Sequence, residues 1–75
     1  MSNMNNHEFG KRNKALKFFN VESCPDSANY SACYLVLGPA MGRGEWFDKT
    51  PKGREDAIKA AEQYDAIAKA IKGED

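Results

Sequence analysis

The sequence predicts an α+β fold: a small three-stranded antiparallel sheet with one C-terminal amphipathic helix packed on one face. A disordered N-terminal tail is expected to precede the sheet. Residues 30–37 read YSACYLVL, an apolar and aromatic run that is typical of a central strand. Residues 45–48 (EWFD) predict a short strand behind a glycine-rich loop. Residues 50–73 combine start and stop signals with apolar residues at helical spacing, which predicts the helix.

The length of 75 residues indicates a single domain. Residues 1–10 are polar, asparagine-rich and aperiodic, so we expect a mobile tail over residues 1–12 and one α+β domain over residues 13–75. Residues 14–21 (KALKFFNV) favour a first strand, although their apolar positions would also suit a short helix.

A turn rich in proline, aspartate and asparagine at residues 23–29 separates the first two predicted strands. A hairpin centred on this turn would place Cys24 opposite Cys33, within disulfide reach. Two free thiols agree better with a reducing compartment, so both states stay open.

The helix has clear boundaries. Thr50 can cap its start, Pro51 suits its first position, and Gly73 supplies its stop. Gly53 weakens the first turn, which would delay the regular helix to about Arg54. One face is apolar and mostly alanine: Ala57, Ala60, Ala61, Tyr64, Ile67, Ala68 and Ile71. The opposite side is polar: Lys59, Glu62, Gln63, Asp65 and Lys69.

A sheet that is covered on one side leaves its other face open, and the alternation of side chains sends some aromatics there. Such a face on a small domain marks a dimer contact or a binding surface. Met41, Arg43 and Trp46 lie within the loop at residues 38–46, and arginine and tryptophan dominate interface energetics. They are the predicted partner-binding residues; the alternative places Trp46 in the core and leaves Arg43 solvated.

Charge is balanced, with eleven basic and eleven acidic residues, whereas nucleic-acid binders are usually basic and DNA mimics acidic. The balance hides a basic arm near the N-terminus, formed by Lys11, Arg12, Lys14 and Lys17. This arm would contact an acidic partner or a nucleic acid. The alternative is a solvated leader that improves solubility.

The chain has few residues in arrangements that support catalysis, and we predict that it is not an enzyme. His7 is the one histidine and lies in the expected tail, far from either cysteine. Two cysteines and one remote histidine give three candidate zinc ligands without a Cys-x-x-Cys spacing, and we expect no metal and no cofactor. The N-terminal residues lack the apolar core of a secretory signal and no apolar run is long enough to cross a bilayer, so we expect no membrane partner and a cytoplasmic location.

The helix carries a recognisable pattern, Ala-Ala-x-x-Tyr-Asp-x-x-Ala after a Thr-Pro start. The matching positions are Thr50, Pro51, Ala60, Ala61, Tyr64, Asp65 and Ala68. In this segment the chain resembles AP2-type and integrase arm-binding domains, which implies a strand followed by a helix packed on a sheet. Members of those families read DNA with strands rich in arginine and tryptophan, and the apolar run at residues 30–37 departs from that pattern.

The function expected from these features is a non-enzymatic protein-binding module: a small adaptor, inhibitor or accessory factor of the kind that phages and mobile elements direct at host proteins. It would dock through the open sheet face, the loop at residues 38–46, or both. The alternative is a nucleic-acid-binding domain that uses the basic arm and the same loop. In a third hypothesis, the apolar face closes a homodimer.

Overall fold

The structure, a computed structural model, describes residues 4–23, 32–38 and 44–73. Five elements follow one another in the chain: helix α1 (Asn6–Lys14), strands β1 (Asn20–Ser23), β2 (Ala32–Leu37) and β3 (Glu45–Asp48), and helix α2 (Pro51–Lys72). The strands form one antiparallel sheet in the order β1-β2-β3. The predicted fold class is therefore confirmed: a three-stranded antiparallel sheet with a C-terminal helix.

The register of the sheet assigns each side chain to one of two faces. Val21 of β1 lies opposite Val36 of β2, and both are buried. The next pair along β2 brings Leu35 opposite Trp46 of β3. Because successive side chains of a strand point to opposite faces, the valines and the Leu35–Trp46 pair lie on different sides of the sheet.

The core lies between α2 and the valine face of the sheet. Its buried residues are Val21, Val36, Ala57, Ile58 and Ala61. Larger, partly buried side chains surround them: Met4, Phe9, Leu16, Phe19, Tyr34, Phe47 and Tyr64. Alanines on the helix and bulky residues elsewhere let α2 lie close to the sheet, as the sequence predicts.

The boundaries of α2 follow the predicted caps. The Thr50 hydroxyl accepts a hydrogen bond from the Gly53 N–H at 3.0 Å, and Gly73 ends the helix in the left-handed conformation at φ 73°. The expected delay to Arg54 does not occur, because the helix begins at Pro51. Gly53 has a packing role instead: a Cβ atom there would lie 2.1 Å from the carbonyl oxygen of Asp48.

The buried stripe of α2 differs from the predicted one. Ile67 and Ile71, expected in the core, are 57% and 80% exposed, whereas Asp65, expected on the polar side, is 2% exposed. The helix is rotated toward a stripe that runs through Ala57, Ile58 and Asp65. An alanine-rich helix offers several similar faces, and the polar contacts of Asp65 favour this one.

The N-terminal region also differs from the prediction, because residues 6–14, expected to belong mostly to a mobile tail, form α1. The Asn5 side chain caps α1 by accepting a hydrogen bond from the Glu8 N–H at 2.8 Å. Phe9 then packs edge-on against Tyr34, with ring centroids 6.2 Å apart. As a consequence β1 begins at Asn20, later than the strand expected over residues 14–21.

Asn13 joins α1 to the outer edge of the sheet. Its side-chain Nδ2 donates to the Val21 carbonyl at 2.9 Å, and its Oδ1 accepts from the Val21 N–H at 2.8 Å. An edge strand otherwise presents such groups to solvent or to other chains. The asparagine amide thus takes the place of a neighbouring strand at this position.

Across residues 4–23, 32–38 and 44–73, neither helix has the length and apolar character that crossing a membrane requires.

Candidate functional site

The candidate site is the sheet face that points away from α2. Leu35 and Trp46 lie opposite each other there, and Leu37 follows Leu35 at the next position on the same face. Both leucines are partly buried, whereas Trp46 is 52% exposed. The helices pack on the other side, so this apolar group lies at the surface of the domain.

Gly44 lets these side chains lie close together where the chain enters β3. Its φ of 84° is in the left-handed region, which favours glycine. A Cβ atom here would lie 2.8 Å from Leu37 Cδ2 and 2.9 Å from Leu35 Cδ1. The two leucines therefore pack over the bare glycine backbone. We call Leu35, Leu37, Gly44 and Trp46 the open-face patch.

The charged residues of the strands are all acidic. They are Glu22 on β1, and Glu45 and Asp48 on β3. Glu22 lies directly opposite Leu35, so it borders the open-face patch. Within the three strands nothing supplies positive charge, so the strand residues of this face offer no cation to a phosphate.

Of the three predicted partner-binding residues, Trp46 lies on the open face. The alternative reading, in which Trp46 belongs to the core, is wrong, because over half of its surface is exposed. Met41 and Arg43 lie outside the described residues. That these three residues bind a partner stays a prediction.

The residues of the predicted basic arm have different environments in the structure. Arg12 is engaged with α2: its Nε donates to Glu62 Oε2 at 3.0 Å and its Nη2 to Glu62 Oε1 at 2.5 Å. The hydrogen bonds to Glu62 raise the pKa of Arg12 further above its ordinary value, against a smaller opposing effect of burial. Lys11, Lys14 and Lys17 are exposed. Arg12 therefore holds α1 and α2 together.

Asp65 is the buried charge that the sequence analysis missed. Its Oδ1 accepts hydrogen bonds from the backbone N–H groups of Lys17 at 3.0 Å and Phe18 at 2.5 Å. Its Oδ2 forms an ion pair with Lys69 at 3.2 Å. Burial acts to raise the pKa of Asp65, but these hydrogen bonds and the lysine outweigh it and hold the pKa below the ordinary value. The carboxylate fixes the segment between α1 and β1 to α2.

Phe18 brings lysines from the two ends of the chain together. Lys17 Nζ lies 5.6 Å from the centroid of the Phe18 ring, and Lys72 Nζ lies 5.4 Å from it. These distances allow cation–π attraction. The sequence does not predict that Lys72 lies near Phe18, because the two residues are far apart along the chain.

Tyr64 links α2 to the beginning of β3. Its hydroxyl donates a hydrogen bond to Glu45 Oε2 at 2.6 Å. The hydrogen bond and the negative charge of Glu45 raise the pKa of Tyr64, because both favour the protonated phenol. Glu45 thus has a structural partner on the covered side of the sheet.

The predictions on metal and thiol chemistry concern regions that are only partly described. Among the described residues, no three histidine, cysteine, aspartate or glutamate side chains are grouped as metal ligands would be. His7 is exposed on α1. Cys24 lies outside the described residues and Cys33 is described in its backbone alone, so their pairing stays open.

Comparison with known proteins gave no match: no protein-family model, no curated protein and no solved structure is significantly similar to this chain.

Proposed function

We propose that this chain is a non-enzymatic protein-binding module that docks on a larger protein through the open-face patch. The observation that carries the proposal is the position of Trp46, which is 52% exposed beside Leu35 and Leu37 on the face that neither helix covers. Exposed apolar groups of this kind on small domains mark interaction sites. Tryptophan is also among the residues that contribute most to binding energy.

The exposed surface of Trp46 could supply part of the binding energy. A tryptophan side chain can bury roughly 150–250 Å², so burying the exposed half of Trp46 would remove about 100 Å² from water. At about 25 cal/mol per Å², this contributes about 2.5 kcal/mol, or somewhat less than a hundredfold in affinity. The half-buried leucines would add to it.

A protein partner suits this face better than a nucleic acid does. The strands contribute no cation, and Glu22 lies opposite Leu35 on this face, where an acidic side chain repels phosphate. The resemblance of α2 to AP2-type domains therefore does not extend to a DNA-reading sheet. An apolar centre bordered by Glu22 fits an apolar protein surface with a basic margin.

We further propose a cytoplasmic inhibitor or accessory factor, comparable to the small proteins with which phages and mobile elements act on host complexes. This part rests on the small size and the balanced charge of the chain. A chain of this kind acts by occupying a surface of its target.

The test is affinity capture from cell lysate with four tagged chains: wild type, Trp46→Ala, Leu35→Ser and Ile71→Ala. Ile71 is 80% exposed on α2, so its variant removes a comparable apolar side chain from a different surface. Each lysate is divided into nuclease-treated and untreated halves, and circular dichroism checks each fold. We expect one stoichiometric protein that resists nuclease, is retained by Ile71→Ala and is lost by the other two variants.

Two outcomes would contradict the proposal. Capture that survives both Trp46→Ala and Leu35→Ser would show that the partner binds elsewhere. Sedimentation that shows a homodimer which dissociates in Trp46→Ala would show that a second copy of the chain covers the patch instead.

A further inference from the structure

The outer edge of β1 carries backbone groups that point away from the sheet. The strand order β1-β2-β3 places β1 at an edge. The N–H and the C=O of Val21 both bind the Asn13 side chain, at 2.8 and 2.9 Å, so they face outward. Because this direction alternates along an antiparallel strand, the groups of Ser23 also face outward and those of Glu22 face β2. The edge therefore has the hydrogen-bonding pattern that an added strand recognises.

The Asn13 amide occupies part of this edge in the way that a strand would. A primary amide presents a donor and an acceptor side by side, as the backbone of a strand does. Asn13 uses both of them on one residue, Val21, whereas Ser23, the next outward position, is exposed. A strand in the place of Asn13 would restore both hydrogen bonds of Val21 and would add those of Ser23.

Glu22 gives the edge a preference for a basic segment. It lies between the two outward positions, is exposed, and accepts a 3.4 Å hydrogen bond from the neutral Asn20 amide. In an added antiparallel strand, Val21 and Ser23 would form the hydrogen-bonded pairs, and the residue between them would face Glu22 at a Cα distance of about 4.5 Å. Opposite charges attract at such a position and like charges repel. Lysine or arginine is favoured there, and the Glu22 of a second copy is not.

The contact that closes the edge belongs to a helix that is attached at its surface. Helix α1 has no buried residue. Its last turn is held to α2 by the Arg12–Glu62 ion pair and to β1 by Asn13, while Phe9 holds the preceding turn. A movement confined to the last turn would therefore release Val21 and leave Phe9 in place.

We propose that the outer edge of β1 binds an extended segment of the protein partner with a basic residue opposite Glu22, and that Asn13 keeps the edge closed until this segment displaces it. The inference rests on the proposed function, since the segment belongs to the protein that covers the open-face patch. Glu22 lies opposite Leu35, so an added strand extends the open-face patch at its border. Backbone hydrogen bonds supply the affinity of such a strand, and its basic residue supplies the selectivity.

The test uses a second copy of the chain as the added strand, because Glu22→Lys turns its β1 into a segment with a basic centre. Asn13→Ala opens the edge, and circular dichroism checks each fold. Isotope-labelled Asn13→Ala is titrated with the unlabelled double variant Asn13→Ala, Glu22→Lys to millimolar concentration, and NMR follows the N–H groups of Val21 and Ser23. We expect this pair to bind about two- to thirtyfold more tightly than Asn13→Ala binds itself, because an opposite-charge pair replaces a like-charge pair.

The matched control keeps Asn13. Wild type titrated with Glu22→Lys should bind about tenfold more weakly than the opened pair, because both hydrogen bonds of Asn13 must first break. Asn13→Asp keeps the acceptor for the Val21 N–H but removes the donor to its carbonyl, and should give an intermediate affinity. Unchanged Val21 and Ser23 resonances in the opened pair, or equal binding with and without Asn13, would overturn the proposal.

Affinity capture separates this inference from the proposed function. Compared with the wild type, Asn13→Ala should retain more of the partner, Glu22→Lys should retain less, and Trp46→Ala should retain none. Capture that requires Trp46 but is equal in wild type, Asn13→Ala and Glu22→Lys would overturn strand addition and leave docking at the open-face patch intact. Capture that is independent of Trp46 would contradict the proposed function instead.

Discussion

Replacement of Asp65 by alanine should destabilise this fold more than the loss of any exposed charge. The change leaves the N–H groups of Lys17 and Phe18 without their acceptor and removes the partner of Lys69. Each of the two donors left without a partner costs about 1–3 kcal/mol, and loss of the ion pair with the partly exposed Lys69 adds to this. We therefore expect a loss of about 3–5 kcal/mol in the free energy of unfolding.

This loss is large for so small a domain. At about 0.05–0.15 kcal/mol per residue, a chain of 75 residues has about 4–11 kcal/mol in total. Urea unfolding of wild type, Asp65→Ala, Asp65→Asn and Lys69→Gln, followed by circular dichroism, measures the difference. The asparagine variant keeps one acceptor oxygen and should lose less, and Lys69→Gln should lose least. A free energy for Asp65→Ala within 1 kcal/mol of the wild type would refute the reasoning.

The same contacts predict further outcomes. Because the pKa of Asp65 is lower in the folded protein than in the unfolded chain, its contribution to the free energy of unfolding is present above about pH 4 and is lost as the pH falls through the lower folded value. The stability of Asp65→Asn should therefore fall less on acidification than that of the wild type, and equal pH profiles would contradict this. Gly53→Ala should lower the stability by at least about 2 kcal/mol, because its Cβ would lie 2.1 Å from a backbone oxygen. Gly10→Ala, whose Cβ would meet no atom within 4 Å, should raise the stability by about 0.5–1 kcal/mol, and thermal melts measure both changes. Asn13→Ala should cost about 1–2 kcal/mol and speed hydrogen exchange at the edge of β1; unchanged exchange would contradict the edge contact.

The parts of the fold that the sequence predicted correctly depend on local chemistry. Thr50, Pro51 and Gly73 define both ends of α2 through hydrogen bonds and dihedral angles within a few residues. The strand at Glu45–Asp48 was also predicted with its observed bounds. Each of these features can be recognised without knowledge of the rest of the chain.

The features that the sequence analysis missed depend on distant contacts. Helix α1 has no buried residue, and Phe9 and Arg12 hold it through partners on β2 and α2. The burial of Asp65 requires the N–H groups near Phe18, more than forty positions away. An alanine-rich helix and a polar N-terminal segment carry little local information about such partners.

The open-face patch was predicted in outline, since a sheet with one helical cover must have an uncovered face. The sequence alone does not show whether Trp46 or its neighbour Phe47 lies on that face, because both are aromatic. The pairing register of β3 with β2 decides it. Phe47 packs at the core while Trp46 is exposed. A shift of one residue would have exchanged them.

Docking through the open face is tested most directly at Trp46, the one tryptophan of the chain. Replacing it with 5-fluorotryptophan gives a single fluorine resonance that reports on this surface alone. The captured partner is titrated into the labelled chain while calorimetry follows binding. We predict that the resonance shifts and loses its solvent isotope effect in step with saturation; saturation with an unchanged resonance and an intact isotope effect would contradict docking at the open-face patch.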